Sequence, residues 1–281
     1  MKSFIGLFLL SISLFSIADS AQKIIALSPH AVEMLYAIGA GDRIVATVEY
    51  ADFPEAAKSI PRIGSYAGIQ IERVVELQPD LIVAWRGGNK LADLNKLESL
   101  GFKIVYTLPK KIPEIATDII RLGELTGLEL GAKKVADNIL DQYRSIKARY
   151  ADKKSVRVFY QFYHDPMQTV GPDSWIGRLI EDCHGENIFS NTDAQYPHVS
   201  LESVLVKDPQ VIIIPHHSGD LSGKKDIWKN WQNISAVKAQ RIYAIDSDIL
   251  HRFSPRAVQG LDDLCQAINN GRSEQVVLNS E

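Results

Sequence analysis

The sequence predicts an α/β protein of two Rossmann-like lobes with parallel sheets, joined by one long α-helix. Three observations predict it. Residues 71–85 (IERVVELQPDLIVAW) are written again, with substitutions, at 201–215 (LESVLVKDPQVIIIP). Short apolar runs alternate with stretches of helical spacing, the signature of parallel sheets. Between the two halves, an unbroken helical pattern runs from about Leu128 to Tyr150.

Residues 1–20 open with Lys2, an apolar stretch from Phe4 to Ile17 and small residues Ala18 and Ser20, which reads as a secretory signal cut near Ser20. That stretch is shorter than the roughly 20 residues that span a bilayer, so an exported, soluble mature protein is expected. The N-terminal lobe is expected over 21–127, opened by the strand KIIALSP (23–29). In the first repeat copy Ile71, Val74, Val75 and Leu77 have helical spacing, and Pro79 stops the helix because it cannot donate to the preceding turn. LIVAW, short and uniformly apolar, suits a strand covered on both faces, and KIVYTL (103–108) continues that sheet.

The linking helix is expected over 128–152, where Ala132, Val135, Ala136, Ile139, Leu140, Tyr143, Ile146 and Tyr150 recur at steps of three and four. At 1.5 Å per residue it makes a rod roughly 30 Å long. A rod is stiffer than the flexible crossings through which many two-lobed proteins close. The C-terminal lobe follows over 153–270, with RVFYQFY (157–163), a helix capped by Ser200 and stopped by Pro209, the strand VIII, and RIYAID (241–246). Residues 271–281 lack periodicity and read as a flexible tail.

The 281 residues are 46% hydrophobic with a net charge of −3, and they hold no dense run of lysine or arginine. Nothing in that balance calls for nucleic acid as a partner. The two cysteines, Cys183 and Cys265, are expected to pair in an oxidising compartment. No GxSxG elbow, GxxxxGK[ST] loop or HExxH motif occurs, so no catalytic residue is assigned and no cofactor is implied.

Parallel sheets bind ligands beyond the carboxyl ends of their strands. There the chain places SPH (28–30), RGGN (86–89), YHDP (163–166), HHSGD (216–220) and SDILHRFSPR (247–256). Aromatic, glycine, histidine and arginine residues gathered at strand ends suit a large, flat, partly polar ligand held between two lobes.

The motifs EYADFP (49–54), PDLIVAWRGGN (79–89), VFYQF (158–162), CHGENIF (183–189), SLESVL (200–205) and SPR (254–256) resemble the cobalamin-binding members of the helical-backbone class of periplasmic substrate-binding proteins. The resemblance covers nearly all of the chain beyond the signal segment. It implies capture of cobalamin (vitamin B12) in the periplasm and delivery to an inner-membrane ABC importer. Carried over by position, it implies corrinoid contacts from Tyr50 and from Asp248, Ile249, Leu250, His251 and Arg252, with Tyr66, Trp85, Phe162 and Tyr196 as aromatic walls. Positions 66 and 196 are tyrosine where the family pattern has tryptophan, and Ile249 and Leu250 replace an aromatic pair.

Glu72 and Glu202, second in each repeat copy, match the positions at which the family docks on the two permease subunits. A carboxylate in a helix's first turn is also favoured by the macrodipole alone, by roughly 0.3–1 kcal/mol. Duplication and resemblance together favour docking. Rival ligands are haem, with Tyr50 or a histidine as axial ligand, a siderophore, or a metal ion held by some of His30, His164, His216, His217 and His251. An exported α/β enzyme would need an activated nucleophile or metal centre that the sequence does not supply.

Overall fold

The computed structural model describes residues 20–217 and 225–272. The signal segment up to residue 19 and the tail from 273 lie outside the described residues. The N-terminal half runs β1 (Ile24–Ala26), α1 (Pro29–Ile38), β2 (Ile44–Thr47), the hairpin β3 (Gly64–Ser65) and β4 (Gly68–Ile69), α2 (Ile71–Leu77), β5 (Leu81–Trp85), α3 (Leu91–Ser99), β6 (Ile104–Thr107) and α4 (Ile112–Thr126). The long helix α5 (Glu129–Tyr150) follows. The C-terminal half runs β7 (Val156–Tyr160), α6 (Trp175–Asp182), β8 (Gly185–Asn187), α7 (Leu201–Lys207), β9 (Val211–His216), α8 (Ser235–Lys238), β10 (Ile242–Asp246), α9 (Ser247–Leu250) and α10 (Ala257–Asn270).

The two sheets are parallel and share one connectivity, β2-β1-β5-β6 and β10-β9-β7-β8. In each, the first strand in the chain lies inside the sheet, so the connections depart from it in opposite directions. The switch point therefore falls between β1 and β5 in one lobe and between β7 and β9 in the other. Both repeat copies fold alike: α2 and α7 each end on a left-handed residue, Gln78 (φ 47°) and Asp208 (φ 41°), directly before the proline. The Asp208 carboxylate accepts from the Ser235 backbone N–H and hydroxyl, both at 2.7 Å, which holds the second turn in place.

LIVAW and VIII are covered on both faces, as uniform apolarity requires. On the inner faces Ile24, Ala26, Leu81 and Val83 belong to one apolar core with Val156, Val158, Tyr160, Val211 and Ile213, a core that includes the buried stripe of α5. The outer faces form separate cores, Ile25, Ile82 and Ala84 with Val74 and Leu94, and Phe159, Ile212 and Ile214 with Val204 and Trp228. Helix α5 packs on α1 and α4 of one lobe and on α10 of the other. Tyr143 donates to Asp182 at 2.9 Å, and Lys147 and Arg149 pair with Asp182 and Asp262, both at 2.7 Å. The rod is thus packed against both lobes and bonded by its side chains to the C-terminal one.

The edge strand β8 carries no clear sequence signal, whereas β2 reads Ile44-Val45-Ala46-Thr47, a short β-branched run that the sequence reading passes over. β8 reads Gly185-Glu186-Asn187 and has no apolar run to announce it. Cys183, just past α6, forms a disulfide with Cys265 on α10. Closing a loop of 82 residues removes unfolded-state entropy worth about 4 kcal/mol. Urea unfolding of Cys183→Ser/Cys265→Ser is expected to show a stability loss of that order with ligand affinity retained.

Candidate functional site

The residues after β7 and β9 meet at the C-terminal switch point. A cavity of about 560 Å³ opens there, lined by Gln161 to Asp165, by Ile214, Pro215 and His217 at the end of β9, and by Ser247 and His251 beyond β10. Gln161 is fixed beneath it by accepting the Trp228 indole N–H at 2.8 Å. Phe162 lies against Tyr196 at 4.8 Å between ring centroids and stacks on His251 at 5.5 Å with a 27° interplanar angle. The wall is therefore a run of aromatic faces, suited to a broad planar guest.

The segment 248–253 ties this wall to the other lobe through three successive residues. His251 stacks on Phe162 and its Nε2 lies 2.6 Å from the Tyr160 hydroxyl. Arg252 reaches across to donate to Asp52 (2.6 Å) and Glu33 (3.1 Å) as well as to Asp248 (3.0 Å). Phe253 packs edge-on against His30 and Trp85 of the N-terminal lobe and against Trp175 of its own. Arg256, the arginine of the SPR motif, adds two bonds to Glu33, at 2.8 and 2.6 Å, and covers the Phe53 ring. Glu33 has a side chain only 2% exposed and is satisfied by two guanidinium groups from the opposite lobe.

At the N-terminal switch point, His30 is buried with Nε2 2.8 Å from Thr107 Oγ1 and 3.3 Å from Ser28 Oγ. Trp85 lies half-buried over the RGGN loop, where a Cβ on Gly88 would meet its indole ring. Tyr50 is 68% exposed and holds φ +65°, a strained backbone for a bulky side chain. Such strain gathers at functional sites, and the Tyr50 carbonyl accepts from Asp52 N–H, next to the Arg252 junction.

The sequence-derived residues divide accordingly. Phe162 and His251 line the cavity and Tyr196 packs against Phe162; Trp85 packs on Phe253, two residues after His251, and Tyr50 lies two residues from Asp52, the partner of Arg252. Tyr66, 78% exposed, sits in the β3–β4 turn away from these contacts. Asp248 and Ile249 are partly exposed on α9. Leu250 corrects the expectation of ligand contact: its side chain is fully buried in the main core, and its carbonyl accepts from the Trp175 indole N–H at 2.9 Å. Three acidic partners occupy the guanidinium of Arg252, which makes it a brace between the lobes. Sequence reasoning missed Glu33, whose signal was an acid inside the otherwise apolar helix PHAVEMLYAI. It also left out Tyr163 and His217 as cavity-lining residues, although both stand in quoted strand-end segments.

Among the described residues, no group of three or more His, Cys, Asp or Glu side chains could hold a metal ion, and no helix is long and apolar enough to cross a membrane.

Burial, assisted by the Arg252 charge, lowers the His30 pKa from 6.5 to about 3. Burial, assisted by His217 and opposed by Asp248, lowers that of His251 to about 4. Both are neutral in the folded protein and protonate first in the unfolded chain. Their contribution is therefore complete above pH 6.5 and falls away as pH drops, by up to about 1.4 kcal/mol per unit for each group. Asp118, raised to about 6 chiefly by burial, acts in the opposite sense below pH 6, but it is partly exposed and offsets only a fraction. Urea unfolding is expected to lose about 3 kcal/mol between pH 7 and pH 5, and a flat profile over that range would contradict burial of the two rings.

A family model for periplasmic binding proteins matches residues 24–249. A vitamin B12-binding protein of Vibrio vulnificus (strain CMCP6) is 35% identical over 258 residues, covering 90% of this chain and 93% of the relative. One from Yersinia pestis (strain Pestoides F) is 36% identical over 258 residues, covering 92% and 90%. Among solved structures, the periplasmic vitamin B12 binding protein BtuF of Vibrio cholerae superposes with a TM-score of 0.84 at 35% identity, covering 90% of this chain and 99% of that one. A periplasmic haem-binding protein, BhuT, has a TM-score of 0.80 at 16% identity over 91% of this chain and all of its own, a likeness of fold alone.

Proposed function

We infer the function from one premise: this chain belongs to the periplasmic binding protein family. Its role is to capture cobalamin between the two lobes in the periplasm and deliver it to an inner-membrane ABC importer, as a carrier without catalytic activity. Residues 1–20 direct export and are removed. The observation that carries the reading is the aromatic wall at the switch point of one lobe, where Phe162 and His251 line a cavity and Tyr196 packs against Phe162. Names and coverage of the relatives support a corrinoid as the guest. A corrin ring offers apolar faces for stacking and a rim of amides for hydrogen bonds, and the wall supplies the former.

His251 suits this role because burial keeps its ring uncharged, so a flat apolar face meets no cation. The test is competition: the purified protein is mixed with equimolar cyanocobalamin and haemin, desalted, and its visible spectrum recorded. Retention of the corrinoid spectrum is expected. Retention of haem alone would overturn the assignment.

A further inference from the structure

His217 stands at the end of β9, on the wall of the cavity, with its side chain 74% exposed. Its Nδ1 lies 2.9 Å from Ser247 Oγ and 3.3 Å from Asp248 Oδ1. The Ser247 hydroxyl spends its proton on the His216 carbonyl at 2.7 Å, so its oxygen is left to accept. Asp248 Oδ1 accepts from Arg252 at 3.0 Å and faces Nδ1 as a second acceptor. Both neighbours therefore require a proton on Nδ1, which fixes the tautomer and leaves the lone pair on Nε2.

Among the described residues no hydrogen bond engages the Nε2 of His217. His251, the other imidazole on this wall, has its Nε2 against the Tyr160 hydroxyl and its ring flat on Phe162. An imidazole whose Nδ1–H is held by a carboxylate is the arrangement that orients a histidine as a metal donor and raises its basicity. Arg252 in turn anchors the carboxylate, so the support extends one step further.

We propose that His217 binds the cobalt of the captured corrinoid through Nε2, displacing an exchangeable upper axial ligand such as water. The proposal rests on the cobalamin reading and deepens it. In the exchange a Co–O bond breaks, a Co–N bond forms from the imidazole lone pair, and water leaves. Cobalt keeps its oxidation state and no proton is transferred. A tightly held cyanide would not be displaced, so the site favours corrinoids with a labile upper ligand.

The experiment uses the purified protein with aquocobalamin and, in parallel, cyanocobalamin. On binding, aquocobalamin is expected to take on the visible spectrum that free imidazole gives it in water. In His217→Ala the bound aquocobalamin keeps its water-ligated spectrum, and the aquocobalamin-to-cyanocobalamin affinity ratio falls at least tenfold. A water-ligated spectrum for aquocobalamin bound to the parent protein would overturn the proposal, as would an imidazole-type spectrum that survives in His217→Ala. If cyanocobalamin does not bind at all, the cobalamin reading itself fails and takes this proposal with it.

Discussion

Replacing Glu33 by alanine is expected to lower the free energy of unfolding by about 3–5 kcal/mol, because removing one partner of a buried ion pair leaves the other desolvated and unpaired. Here both guanidiniums lose bonds at once: Arg256 gives up two, and Arg252 keeps only Asp52 and Asp248. Since Glu33 comes from α1 and the arginines from beyond α9, the loss falls on the joint between the lobes. Ligand affinity is expected to drop with it, because Arg252 follows His251 directly. A double-mutant cycle with Arg256→Ala isolates the coupling between the two residues. A loss below about 1 kcal/mol, the range of exposed pairs, would show that the junction is solvated and contributes little.

The double variant Glu72→Ala/Glu202→Ala is expected to bind cobalamin with unchanged affinity and to abolish uptake. Both carboxylates are exposed, one residue inside α2 and α7, at equivalent places in the repeat. Its own backbone N–H and the Ser200 hydroxyl hold the Glu202 carboxyl below its usual pKa, so it stays charged. One carboxylate on each lobe suits a permease made of two equivalent halves. Uptake assays in cells, beside calorimetry on the purified variant, separate the two effects. Full uptake, or lost affinity, would remove the docking role.

The central strands were legible in the sequence because each is covered on both faces and so must be uniformly apolar; LIVAW and VIII could hardly be anything else. The rod was legible because α5 buries one stripe over six turns. Of the edge strands, β6 and β10 were legible as KIVYTL and RIYAID, whereas β8 was not, since it needs only a partner's backbone and carries Glu186 outward. At the site, strand-end residues pointed to Phe162 and His251, while Tyr196 came only from the resemblance. Position alone misplaced Leu250, because the four-residue helix α9 turns one side into the core while Ile249 stays at the surface. Arg252 is likewise committed to acids that lie some 200 residues away in the chain, and no local pattern announces that pairing.

Isothermal titration of the purified protein with cyanocobalamin, repeated on Phe162→Ala, tests the central claim most directly. One-to-one binding at micromolar protein is expected, with affinity falling at least tenfold in the variant, since losing an aromatic stacking face costs about 1.4 kcal/mol or more. Absence of heat, or equal affinity in the two proteins, would contradict a corrinoid site built on this wall.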